Sequence, residues 1–182
     1  MCTESVNIFD RVRRSIVIIL PRQNNYLGEF MESYEGYNPL AINWSIYGTN
    51  GHIRRPSDQI HHLLRRSEQQ WEPNGFVKSI VRPEHVVVDS LYDVHHFTTS
   101  PSITVNENHE QVTWMTHAIS TEKIRLNHYV LRSWQDYWEV KVHRQRFNNA
   151  SPCDQKYFSF HDRNEVFDDE ILQRFGHLIH FS

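Results

Sequence analysis

With 182 residues, 38% of them apolar, the chain is long enough for one domain around a sizeable core. Its 19 basic and 22 acidic side chains leave a formal charge of -3, so no global field draws in nucleic acid or an anionic membrane. Two cysteines, Cys2 and Cys153, make neither a disulfide framework nor a zinc signature, which fits a reducing, cytoplasmic setting. The aliphatic run at 16–20 is far too short to span a bilayer. Arg11, Arg13 and Arg14 stand where a signal peptide needs its apolar core, so a soluble protein is expected.

In chain order, residues 16–20 before Pro21 predict a buried strand, being continuously aliphatic, largely β-branched and stopped by proline. Residues 26–34 predict a helix with Leu27, Phe30, Met31 and Tyr34 on one face. A second strand at 40–47 runs into Gly48-Thr49-Asn50-Gly51-His52, whose two glycines mark a tight loop at a strand end. A short helix is expected over 58–66 with Ser57 as its cap. Strands are expected at 76–81 and 85–88, separated by Arg82-Pro83. From 92 to 122 the chain is polar and weakly periodic, which predicts loops and a short hairpin.

Strand character returns at 124–131. Ser133 then caps a helix, with Asp136 three residues on and Trp134, Tyr137, Trp138 and Val142 near one face. A turn-rich break at 148–154 precedes a terminal helix over 165–177 that ends near Gly176. No repeat is present. Strands mixed with helices predict an α/β layer structure, a mixed sheet flanked by helices whose loops at strand ends carry the chemistry.

Among those loops, Arg125-Leu126-Asn127-His128-Tyr129-Val130-Leu131-Arg132-Ser133-Trp134 is the most informative stretch. It joins the metal-competent imidazole of His128 to a basic, Ser-capped helix start that attracts phosphate. Arg132 and Lys78 suit anionic oxygens, and the bland alternative is a pair of solvated cations. His128 beside Tyr129 is equally readable as a packed core residue, and the Gly48 to His52 loop as a plain turn. Trp44, Trp134 and Trp138 can stack on sugar rings, although core packing is the commoner use of tryptophan. Asp58, Asp89 and Asp93 are candidate general bases, with Asp58 ranked first. His95 and His96 alternate faces on a strand, and His61 and His62 read as solvated, so neither pair makes a metal site. The cluster of Lys141, Arg144 and Arg146 lacks the wider basic face that nucleic acid needs.

Ala41-Ile42-Asn43-Trp44, the 48–52 loop, Arg55-Pro56, Lys78-Ser79-Ile80-Val81-Arg82-Pro83, His95-His96-Phe97 and Asn127-His128-Tyr129 also fall in a familiar order. Taken together, from about residue 20 to about residue 172, they resemble the family-2-like glycosyltransferases of the GT-A fold, the capsular polysaccharide and viral type. The resemblance implies transfer of a sugar from a nucleotide-sugar donor to an acceptor hydroxyl, with Mn²⁺ or Mg²⁺ bridging the diphosphate. A divalent ion stabilises the negative charge that builds on that leaving group.

By the same resemblance His128 is the metal or diphosphate contact and Arg132 steadies phosphate, with Lys78 a further phosphate candidate from its charge. The Gly48 to His52 loop, with Gly48, Asn50, Gly51 and His52, shapes the acceptor pocket; Trp44 is a candidate for stacking on the sugar, and Asp58 is the first-ranked of the candidate bases, none of which the resemblance assigns. Relatives carry an Asp-x-Asp-Glu-Phe-like motif just ahead of the segment matching 17–21. Here Arg13-Arg14-Ser15-Ile16 stands in that place, and no Asp-x-Asp occurs in the sequence. The expectation is therefore one glycosyltransferase-like domain over 1–182, an N-terminally truncated, acceptor-side portion. The rival is a non-catalytic carbohydrate-binding remnant of such an enzyme. A metal hydrolase would need three converging ligands, and no His-Glu-x-x-His spacing is present.

Overall fold

The computed structural model describes residues 16–23, 26–87, 97–100, 103–143 and 154–176. Among them, β1 (Ile16–Pro21), β2 (Leu40–Tyr47), β3 (Arg65–Arg66), β4 (Val77–Ile80), β5 (Ile124–Tyr129) and β6 (Val166–Phe167) form one mixed sheet. Its order is β1-β5-β2-β3-β6, with β4 pairing β2 off that path. The pairs are antiparallel apart from β2 and β5, which run parallel with Trp44 opposite Leu126 and Tyr47 opposite Tyr129. Helices α1 (Leu27–Glu32), α2 (Trp134–Asp136), α3 (Gln155–His161) and α4 (Glu170–Phe175) flank the sheet. The α/β architecture is the expected one. No helix among the described residues is long and apolar enough to cross a membrane.

Strand periodicity sorts the side chains onto two faces. Leu40 and Ile42 of β2 with Ile124 and Leu126 of β5 pack under Phe30, Tyr34 and Val105. Helix α1 has only six residues and no side-chain cap, too short to be stable alone. Burial of Phe30 holds it instead, worth about 1.5–3 kcal/mol for such a side chain. Further along the sheet, Ile46 packs with Val130, Leu131 and Tyr137. Tyr47, Leu63 and Tyr129 pack together on the other face.

The polar stretch before β5 contains an organising carboxylate. Glu107 is 2% exposed. It accepts the backbone N–H groups of Glu122, Lys123 and Ile124 at 2.8, 3.0 and 2.8 Å, and the Ser120 hydroxyl. Its carbonyl accepts the Tyr34 hydroxyl at 2.7 Å. Burial, then the nearby Glu107 charge, pushes the Tyr34 phenol up to about 12. A buried carboxylate is tolerated only when its oxygens are satisfied, and here they set where β5 begins.

Several expected boundaries move. The helix expected over 58–66 is a turn: Asp58, not Ser57, caps it by accepting the His61 N–H at 2.8 Å, and the chain then becomes β3. Arg65 and Arg66 are drawn into the sheet because they pair with Phe167 and Val166, about a hundred residues away. The strand expected at 85–88 opens as a 3₁₀ turn, Pro83–His85, because Pro83 favours a helical start; among its described residues, Val86 bridges to Thr99. The terminal helix begins at Glu170, since Val166 and Phe167 are claimed by β6. Helix α3 lies next to the expected 148–154 break and went unread, although Asp154 caps it by accepting the Tyr157 N–H. The helix after Ser133 is confirmed, but it changes to a π-helix over Tyr137–Val142. Residues 88–96, 144–153 and 177, with Asp89, Asp93, His95, His96, Arg144, Arg146 and Cys153, lie outside the described residues.

Candidate functional site

Because β2 and β5 are parallel and in register, the loops that leave Tyr47 and Tyr129 emerge side by side. Ligands of open α/β sheets bind at such carboxyl ends. The Trp134 N–H donates to the His52 carbonyl at 3.0 Å and the Gln135 N–H to the Ile53 carbonyl at 2.9 Å, stitching the two loops together. The Ser133 hydroxyl accepts the Asp136 N–H at 3.0 Å and the Ser133 carbonyl accepts the Tyr137 N–H at 3.0 Å. The N–H groups of this helix start are thus engaged by the protein itself.

The 48–52 loop is held along its length. Gly48 N–H donates to the Arg65 carbonyl at 3.1 Å, Thr49 N–H to Asp162 Oδ1 at 2.7 Å, Asn50 N–H to Asn164 Oδ1 at 2.9 Å, Gly51 N–H to Thr49 Oγ1 at 3.2 Å, and His52 N–H to the Thr49 carbonyl at 3.0 Å. Asn50 and Gly51 are left-handed, with φ of 52° and 77°. A Cβ on Gly48 would collide with the Arg163 carbonyl and the Asn164 side chain, so this glycine admits the protein's own 163–164 segment. Gly51 faces open space.

Asp58 sits beside this loop. The Asn50 amide donates to the His62 carbonyl at 3.1 Å, and His52 Nε2 lies 3.2 Å from the same oxygen. The Asp58 carboxylate is 2.9 Å from His61 Nδ1 and 3.7 Å from His62 Nε2, and Ser57 Oγ is 3.2 Å from that ring nitrogen. The structure therefore brings Asn50, His52, Asp58 and His62 into one cluster.

Arg132 is left-handed, φ 67°, and mostly buried; its Nη2 lies 3.3 Å from Asp136 Oδ1. Arg55 Nε donates to that same oxygen at 2.6 Å and Arg55 Nη2 to Glu139 Oε2 at 3.1 Å. The hydrogen bond to Asp136 leads the effects that raise the Arg55 pKa. Two guanidiniums thus converge on the buried Asp136 carboxylate, directly behind the loop junction.

His128 and Trp44 form a separate pair within the sheet. His128 lies opposite Ile46 and Val17 and is half-buried, its ring edge-on to Trp44 with centroids 4.3 Å apart. Trp44 in turn contacts Phe76 at 5.3 Å. Lys78 pairs with Ile42 on β4, five residues before the loop-bearing end of β2, or roughly 17 Å along a strand. It does not join the cluster. Among the described residues, no three His, Cys, Asp or Glu side chains gather as a metal site. Sequence reasoning missed Asp162, Asn164 and Asp136 as the groups that hold the loops.

The model for glycosyltransferase family 92 matches residues 17–173, which spans β1 to α4 and both loops. The chain belongs to glycosyltransferase family 92. No curated protein and no solved structure matches it. Membership of family 92 bears out the glycosyltransferase resemblance at the level of sugar transfer. In this family 92 chain the matched interval also carries the 162–164 segment that clamps the loop after β2.

Proposed function

We propose that this family 92 chain moves a sugar from a nucleotide-sugar donor to an acceptor hydroxyl, in a GT-A-like arrangement whose acceptor side is the junction of the loops after β2 and β5. The observation that carries the reading is the cluster of Asn50, His52 and Asp58 at the carboxyl end of the parallel pair, inside the family match. Asn50 and His52 hydrogen-bond acceptor hydroxyls. Asp58 takes the proton from the attacking hydroxyl as the new bond forms at the anomeric carbon and the bond to the diphosphate breaks.

The resemblance also implies Mn²⁺ or Mg²⁺ on the diphosphate. His128 is the single ligand assigned to it, and the described residues do not complete a metal site around that ring. Among the described residues, the roles that support this reading are holding the acceptor and accepting its proton. A reducing, cytoplasmic setting belongs to the same reading, from Cys2 and Cys153.

A second reading, a non-catalytic carbohydrate-binding remnant, is favoured by the absence of Asp-x-Asp from the sequence. Calorimetry with UDP-glucose, UDP-galactose and UDP-N-acetylglucosamine, with and without Mn²⁺, separates the two. The transferase binds a donor in a metal-dependent way and the remnant binds none. In a transferase, Asp58→Asn is expected to lower turnover about 10²–10⁴-fold with donor affinity unchanged. A variant as active as wild type removes Asp58 as the base.

A further inference from the structure

Just beyond the stitched loops lies an open groove of about 580 Å³ lined by Ile53, Arg54, Trp134, Gln135, Trp138 and Glu139. Ile53 is 72% exposed and Trp138 37%, unusual for large apolar side chains so close together. The two indoles stand at 65° with centroids 5.4 Å apart, and Trp134 is backed by Phe158 at 4.6 Å. The groove therefore has aromatic walls, one of them backed by a second ring.

Its polar groups are set in advance. Gln135 Oε1 accepts the Arg55 N–H at 3.0 Å, Gln135 Nε2 donates to Glu139 Oε1 at 2.9 Å, and Arg55 Nη2 donates to the other Glu139 oxygen. Arg54 makes no hydrogen bond or ion pair with any described residue. Arg54 and Glu139 are thus the charged groups of the lining, and Glu139 is also paired with Arg55 beside it.

We propose that this groove binds a neutral pyranose ring of the acceptor glycan, next to the ring that is glycosylated; the inference rests on reading the loops as the acceptor side. A pyranose has C–H faces that pack on indole and hydroxyls that both donate and accept. Glu139 takes hydroxyl donors, and Arg54 and Gln135 supply N–H groups to hydroxyl oxygens. A nucleotide diphosphate would set its oxygens against the Glu139 carboxylate, whose cation Arg55 is already shared with Asp136, so an uncharged ring fits this groove better than the donor does. The volume lies within the range of about 300–1,000 Å³ usual for small-ligand sites. An acceptor with a second ring is accordingly held better than a monosaccharide.

The test is an array of neutral, uronate-bearing and sulfated di- and trisaccharides probed with the full chain, Trp138→Ala, Trp138→Phe and Arg54→Ala. Thermal unfolding verifies that the variants fold, as expected for surface positions. The proposal expects neutral glycans to be captured, Trp138→Ala to weaken capture about tenfold, Trp138→Phe to restore part of it, and Arg54→Ala to weaken it severalfold. Capture confined to acidic glycans, capture indifferent to Trp138→Ala, or no capture overturns it. Donor calorimetry is independent: failed donor binding with glycan capture intact removes the transferase reading and leaves the groove, and the reverse removes the groove alone.

Discussion

Asp168 shows how far single side chains carry this fold. Its carboxylate accepts from Arg125 Nη1 at 2.7 Å and Arg66 Nε at 2.6 Å, and Arg125 is 2% exposed. Burial alone would raise the Asp168 pKa, but the two guanidiniums outweigh it and hold the carboxyl at about 2. Asp168→Asn leaves Arg125 buried with the more distant Glu170, at 3.6 Å, as its remaining carboxylate. Urea denaturation is expected to show a loss of about 3–5 kcal/mol, the usual result of removing one partner of a buried pair. A loss below about 1 kcal/mol would mean that Glu170 replaces Asp168. Gly48→Ala is the second test at this scale. The added methyl meets the 163–164 segment, and overpacking of this kind costs about 1–3 kcal/mol, read from the same denaturation curves. Neither residue's importance was legible in the sequence. The glycine read as turn chemistry, whereas its neighbour in space comes from more than a hundred residues away.

Among the elements, those built from a strong local pattern were legible and those created by pairing were not. The apolar β2 and the Ser133-capped helix were read correctly, because burial and capping leave marks on neighbouring residues, whereas β1 is a strand as expected but lies at the sheet edge with Val17 44% exposed rather than buried. The two-residue strands β3 and β6 have no such pattern and exist because each finds the other. Ser133→Ala removes the acceptor for the Asp136 N–H and is expected to destabilise the protein by about 1 kcal/mol in thermal or urea unfolding. The start of β5 depends on Glu107. Glu107→Gln replaces one of its two acceptor oxygens with a donor, so amide exchange at Glu122, Lys123 and Ile124 should accelerate well before global unfolding. Unchanged protection there would show that the strand start is set by packing alone.

For the whole molecule, the consequence of the Asp168 cluster is acid sensitivity. The folded carboxyl is depressed from 3.8 to about 2, so its contribution is fully present above about pH 4 and is lost as pH falls through 2. At 1.36 kcal/mol per pKa unit this is roughly 2 kcal/mol. Stability measured in urea between pH 5 and pH 2 should fall by that amount in the wild type, and Asp168→Asn should lack this part of the slope. Burial holds the Tyr129 phenol up at about 12, and it pushes Tyr47 higher still, so neither phenol contributes at acid or neutral pH.

By itself the sequence determined the α/β class, the main strand candidates and the relation to sugar-transferring proteins, because apolar periodicity and short motifs are local properties of the chain. Only the tertiary structure decided which candidates meet. Asn50, His52 and Asp58 share a cluster, Arg132 faces Asp136, Trp44 touches His128, and Lys78 stands apart. The physical reason is strand register: pairing β2 in parallel with β5 and sending β4 antiparallel along the first half of β2 determines which ends are neighbours, and no run of adjacent residues encodes that choice.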